Sequence, residues 1–258
     1  MVQVTPTHRR DVLRTGAGIV AGGALAAGCG TGHAARPPAS AAPVPSSAEP
    51  PAGPRAYPGR PAQITHGPRT RPQVALTFHG QGDPALARAL LDTAEQRGAR
   101  LTVLAVGTWL DQHPELARRI LDGGHDLGNH TQRHLDVNTL PEAEARREIT
   151  GCAARLKRLT GSIGTWFRPS RAPAASPLVA RLARAAGYPH VLSYDVDSLD
   201  YTRPGAAAVT REVLAGVRNG SVVSLHFGYP DTVAALPDVL TELGRRGLRA
   251  VTTTELLS

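Results

Sequence analysis

From Gln73 to Ser258 the chain alternates between short, nearly continuous apolar runs and longer stretches where apolar residues recur every three or four positions. Runs of the first kind read as strands buried on both faces, and the second spacing reads as amphipathic helix. Strands are predicted over residues 74–78, 101–106, 191–193, 222–226 and 250–252. Helices are predicted over 84–97, with Leu86, Leu90 and Ala94 on one face, and over 114–121, closing at Gly123 and Gly124. A longer one at 141–159 carries Ala145, Ile149, Cys152, Leu156 and Leu159 in one stripe, and others follow at 176–186, 206–217 and 232–246. Strands alternating with helices of about ten residues or more imply an α/β fold, with a mainly parallel sheet covered by helices on its outer face. Cys152 sits in the apolar stripe and is expected to be a small buried core residue.

The first 72 residues break this rhythm. Residues 1–29 hold Arg9 and Arg10, then a Gly/Ala-rich uncharged run that ends at Gly28 and Cys29, the layout of an export signal. That run is too short and too rich in glycine for a convincing membrane span. Around Arg9 and Arg10 the text resembles a twin-arginine signal, and Ala26-Ala27-Gly28-Cys29 resembles a bacterial lipoprotein cleavage site, although Ala26 stands where that pattern prefers Leu, Val or Ile. The resemblance implies an exported protein, secreted or held at the membrane by lipid on Cys29. Residues 30–72 are rich in Pro, Ala, Ser and Gly with few large apolar side chains, and are expected to form a disordered tether to a domain at 73–258.

Charge adds one exclusion. The formal net charge is +8, yet residues 1–70 carry seven Arg against two acids, whereas residues 71–258 carry 22 Lys plus Arg against 19 Asp plus Glu. Most of the excess therefore lies outside the domain, and no basic patch interleaved with aromatics points to nucleic acid. Neither GxGxxG nor GxxxxGK[ST] follows a predicted strand, so a nucleotide is not expected.

In parallel α/β folds, ligands gather beyond the carboxyl ends of strands. The residues there are Thr77-Phe78-His79-Gly80-Gln81-Gly82-Asp83, His130-Thr131-Gln132-Arg133-His134, Phe167-Arg168-Pro169, Asp197-Ser198-Leu199-Asp200-Tyr201 and Leu225-His226. Together they resemble the polysaccharide deacetylase family, also called the NodB-homology or carbohydrate esterase family 4 domain, over roughly residues 74–257. The resemblance implies a distorted (β/α) barrel of about seven parallel strands. It implies a monomeric hydrolase that removes N- or O-acetyl groups from envelope or chitin-like polysaccharide with one divalent metal, and zinc, cobalt or nickel suits imidazole ligands.

The same comparison assigns roles and exposes departures. His130 and His134 are the expected metal ligands, Arg168 the group that orients the base, and His226 the general acid held by Asp200. Tyr201 and Leu225 are expected to wall the acetyl pocket, and Arg171 stands where the family has the Tyr that lends a backbone oxyanion donor. The family's first motif supplies two adjacent aspartates, a base and a metal ligand, but here those positions are His79 and Gly80. His79 can serve as a ligand or as the base, though one nitrogen cannot do both. Asp83, followed by Pro84, reads as the N-cap of the next helix and so as a poor substitute. Loss of a carboxylate leaves a metal weakly held or absent and activity feeble. The alternative is a catalytically inactive domain that binds glycan in the old groove.

Overall fold

The computed structural model describes residues 53–258. The expected export signal at 1–29, with Cys29, and the tether at 30–52 lie outside the described residues.

In chain order the elements are β1 (Gln63–Ile64), β2 (Gln73–Gly80), α1 (Pro84–Gln96), β3 (Thr102–Ala105), α2 (Gly107–Gln112), α3 (Glu115–Asp122), β4 (Asp126–Asn129) and α4 (Glu142–Thr160). They continue as α5 (Pro177–Ala185), β5 (Val191–Leu192), β6 (Val196–Asp197), a 3-10 turn (Asp200–Thr202), α6 (Ala206–Gly216), β7 (Val222–His226), α7 (Pro230–Arg245), β8 (Arg249–Ala250) and α8 (Thr253–Leu257). Strands β4-β3-β2-β7-β6 lie side by side and parallel, and β8 pairs with the start of β2. Bridges from Phe167 to Asn129 and to Val191 carry the curl on to β5, which pairs with β1. Among the described residues no ladder joins β5 to β6, so the distorted barrel curls without closing.

Helix signals work as the chemistry requires. Asp83 caps α1, its side chain accepting from the Ala85 N–H at 2.8 Å with Pro84 in the first turn. Gly161 ends α4 at φ 88°, a left-handed position that glycine takes without a Cβ penalty. Cys152 is fully buried on α4, where burial pushes its thiol up to about 12 and its Sγ–H donates to the Ala105 carbonyl.

Two expectations need correction, and one strand was not expected. The tether was drawn to residue 72, but residues 57–72 pack on the domain. Tyr57 stacks on Trp166 with centroids 5.5 Å apart, Ile64 is buried in β1, and Arg69 pairs with Asp195 at 2.7 Å. An extended, proline-rich segment needs few anchors when its backbone can pair with a sheet edge, and here Tyr57, Ile64 and Arg69 supply them. The strand expected at 250–252 instead occupies Arg249–Ala250, because Thr252 caps α8 by accepting from the Glu255 N–H at 3.1 Å. Strand β4 lacked an apolar run, yet all four of its residues are buried. Gly128 lets it lie close to its neighbour, since a Cβ there would sit 2.6 Å from the Trp166 carbonyl oxygen.

Candidate active site

Register builds the site. In the parallel ladders His79 faces His226, and Gly80 faces Ala105, which in turn faces Asn129. The first, second and last polar motifs therefore meet at the carboxyl end of one sheet, although His79 and His226 are 147 residues apart in sequence.

Hydrogen bonding fixes a consistent set of tautomers. The buried Arg168 donates from Nη1 to His79 Nε2 at 3.1 Å, so that nitrogen is an acceptor and His79 Nδ1 carries the proton. His79 Nδ1–H then donates to His226 Nε2 at 2.7 Å, and His226 Nδ1–H donates to Asp200 Oδ1 at 2.6 Å. The fully buried Asp200 also accepts through Oδ2 from the His226 backbone N–H at 2.8 Å and the Thr232 hydroxyl at 2.7 Å. Arg168 also donates from Nε to the Leu192 carbonyl at 3.1 Å and from Nη2 to the Ser193 carbonyl at 3.0 Å, beneath the ring of Tyr194. Burial brings its pKa down to about 10, which leaves it charged at neutral pH.

The second motif forms a tight turn rather than a helix, with Thr131 and His134 at φ 68° and 57°. Asn129 anchors it, donating to the Ile149 carbonyl and to Tyr188 Oη and accepting from the Thr131 N–H. The rings of His79 and His130 stack at 4.2 Å, and those of His130 and His134 lie 4.9 Å apart. His130 Nδ1–H donates to the Arg168 carbonyl at 3.1 Å, while its Nε2 is buried with no partner among the described residues. Burial, chiefly, holds His79 and His130 well below the ordinary imidazole range. Burial followed by the charge of Arg171 takes His134 down to about 4. All three imidazoles are thus neutral at physiological pH.

The orphaned Nε2 of His130 suits a metal, but the rest of the donor set does not. Both nitrogens of His79 are engaged, one by a guanidinium, so His79 does not complete a ligand set with His130 and His134. Asp83 is committed to capping α1. Among the described residues no group of three or more His, Cys, Asp or Glu is placed to hold a metal ion. Two imidazoles without a carboxylate do not fit a divalent cation site that keeps three protein ligands.

Above these groups lies an open cleft of about 380 Å³, lined by His79, His134, Arg171, Tyr194, Tyr201 and Tyr229, with His226 at its base. Tyr201 and Tyr229 each stand edge-on to His226, with centroids 5.7 Å apart. Leu225 does not line the cleft as expected. Successive strand residues face opposite sides, so Ser224 and His226 look into the cleft and Leu225 joins the core with Phe78. Tyr194, Tyr229 and Thr232 also belong to the site although they lie outside every motif that pointed to it, and Asp197 lies inside one without an expected role.

Comparison with known proteins gives the same direction. Residues 66–191 match the family model described as polysaccharide deacetylase. Over 194 residues the chain is 31% identical to a peptidoglycan-N-acetylglucosamine deacetylase of Bacillus cereus, a match covering 74% of this chain and 90% of that protein. The chain belongs to the polysaccharide deacetylase family. A chitooligosaccharide deacetylase of Bradyrhizobium is 30% identical over 197 residues, covering 67% of this chain and 85% of its own. Among solved family structures, the Bc1960 peptidoglycan N-acetylglucosamine deacetylase superposes with a TM-score of 0.71 at 26% identity, covering 76% of this chain and 92% of that one. A family 4 pseudoenzyme from Bacillus anthracis superposes at 0.72 with 24% identity, covering 77% and 70%, which speaks to the fold alone. The sequence relatives named here are thus carbohydrate and peptidoglycan deacetylases, enzymes that cleave N-acetyl groups from sugars, while the family also holds a pseudoenzyme.

Proposed function

We propose that this family member is an exported hydrolase of acetylated envelope or chitin-like polysaccharide, with its proton-donating half intact and its metal-binding half reduced. The observation that carries this reading is His226, pinned by Asp200 at 2.6 Å at the foot of an aromatic-walled cleft. With Nδ1 committed to the carboxylate, Nε2 is the atom that takes and gives the proton an acetamide needs on its leaving nitrogen. In the resting site that atom accepts from His79 and carries no proton, so substrate and water must displace His79, and Nε2 takes a proton from the attacking water before giving it to the leaving nitrogen. Tyr194, Tyr201 and Tyr229 offer flat faces to sugar rings, and Arg168 holds His79 in place. No reaction step is assigned to a metal, because the two-imidazole set binds zinc, cobalt or nickel weakly or not at all. Hydrolysis is therefore slow.

Residues 1–29 act as the export signal. The chain is secreted, or lipid on Cys29 tethers it to the membrane through residues 30–52, and the domain works as a monomer outside the cytoplasm. A second reading, glycan binding without turnover, draws support from the engagement of both His79 nitrogens. Acetate release by the purified full chain from acetylated chitooligosaccharides and from peptidoglycan, with and without zinc or cobalt, separates the two. Slow release that disappears in Asp200→Ala supports the hydrolase. Binding of the same oligosaccharides with no release leaves the binding reading, and neither binding nor release removes both.

A further inference from the structure

Five non-glycine residues of the described chain have positive φ, namely Thr131, His134, Arg171, Leu199 and Arg203, and all five lie in the loops that surround the cleft. Such backbone costs of order 1–3 kcal/mol per residue and collects where a surrounding structure must aim particular side chains. Two of the five are arginines, both at φ 56° and both exposed. Arg171 lines the cleft beside His134. Arg203 sits 5.7 Å from the ring of Tyr229, a cleft wall on the His226 side. Among the described residues neither side chain makes a hydrogen bond or an ion pair.

The carboxylates near them are already committed. Asp197, which lines the cleft, accepts from the Leu199 N–H at 3.1 Å and faces the Tyr194 hydroxyl at 3.5 Å. Asp200 is buried beneath His226 and fully bonded. The cleft therefore carries one guanidinium fork, Arg171, on its aromatic wall, and a second, Arg203, stands against the Tyr229 ring next to that lining, neither with an anion of its own. A guanidinium fork matches the two oxygens of a carboxylate, and a neutral sugar gives it no such partner.

From this arrangement we infer that the cleft selects a glycan unit bearing a carboxylate, as muramic and uronic acids do, held by Arg171 on the cleft wall and attracted by Arg203 beside Tyr229 while its ring lies against the tyrosines. This rests on the glycan reading of the site and narrows its substrate class.

Titration calorimetry of the full chain tests it with four probes. They are the disaccharide of N-acetylglucosamine and N-acetylmuramic acid, its carboxyl methyl ester, a glucuronic acid–N-acetylglucosamine disaccharide, and neutral diacetylchitobiose. The expected result is a ten- to hundredfold preference for the free acid over its ester, the range of one charged hydrogen bond. Arg171→Gln or Arg203→Gln should shrink that ratio toward one, and Arg171→Lys should keep part of it, with thermal melting confirming a native fold. Preference for the muramic over the uronic disaccharide would assign the carboxylate to a lactyl side arm, and the reverse to the ring. Equal binding of acid, ester and chitobiose would overturn the carboxylate inference and leave the glycan reading standing. Failure of all four to bind would overturn both.

Discussion

Restoring the two missing carboxylates tests the account of the first motif most directly, because the structure gives different costs to the two positions. At residue 79 an aspartate would meet Arg168, a buried cation that now bonds only to two carbonyls and an imidazole. It would also have no proton to give, so the hydrogen in the contact with His226 would have to sit on His226 Nε2, the atom from which a leaving amine must take it. His79→Asp should therefore leave stability within about 1 kcal/mol of the parent, since a new ion pair offsets the desolvated charge and the lost ring stacking. Position 80 is different. A Cβ on Gly80 would lie 2.9 Å from Val103 Cγ1, 3.1 Å from Ala105 Cα and 3.3 Å from Ala105 Cβ. Overpacking of that kind costs roughly 1–3 kcal/mol, about 2–12 °C of melting temperature for a domain of this size. Adding Val103→Ala should recover part of the loss, because Val103 supplies the nearest atom.

Thermal unfolding of the parent, of each single variant and of His79→Asp/Gly80→Asp/Val103→Ala, with and without zinc, reads out both halves of this argument. Zinc at a hundred times its dissociation constant stabilises a folded site by about 2.7 kcal/mol, so a completed site should melt roughly 5–11 °C higher with metal. The parent, with two imidazoles, should shift little. If zinc stabilises the parent as much as the triple variant, the donor-count argument is wrong. If Gly80→Asp melts with the parent, the space argument is wrong.

Other expectations follow from the same contacts. Asp200→Asn turns one acceptor oxygen into a donor facing the His226 N–H and the Thr232 hydroxyl, and should cost about 2–4 kcal/mol in chemical denaturation while abolishing acetate release. Acid should destabilise the domain: burial and Arg171 hold His134 down to about 4 in the folded state against an ordinary 6.5, so its contribution is complete above about pH 6.5 and is lost as pH falls toward 4. Discounted for its partial exposure, that contribution is about 1–2 kcal/mol, and His79 and His130 add to it in the same direction, so melting temperature measured between pH 7 and pH 4 should fall steadily. Tyr57→Ala removes the stack on Trp166 and should cost about 1–2 kcal/mol, with trypsin cutting after Arg55, which precedes Ala56, faster than in the parent.

Much of this architecture was legible because burial in a parallel sheet writes itself as apolar runs, and helix ends as caps such as Asp83. What escaped was set by distance or by parity. Strand β4 reads Asp-Leu-Gly-Asn, and its burial depends on Asp126 being satisfied by the Thr254 N–H and the Trp166 indole, 128 and 40 residues away. Leu225 was assigned to the cleft by analogy, although a period of two already placed it on the other face from His226. The strap at 57–72 was hidden because its anchors are three side chains scattered through a proline-rich text.

The family resemblance places Arg168 beside the base position and Asp200 beneath His226, but the contact from His79 to His226 that joins the two depends on strand register, and it explains why position 79 holds a histidine. Arg168 is fully buried, and its Nη1 must find an acceptor there. An apolar residue at 79 would strand that charge, at a cost of 3–5 kcal/mol typical of a buried cation that loses its partner. An imidazole accepts from Arg168 with one nitrogen and donates to His226 with the other, so it keeps both neighbours satisfied while giving up the carboxylate's negative charge. The same substitution that preserves the scaffold of the acid half thus removes the base and weakens any cation site, and the two effects cannot be separated without also changing Arg168. Arg168→Met combined with His79→Leu should therefore fold better than either alone, and a double-mutant cycle with a coupling below about 0.5 kcal/mol would refute the link.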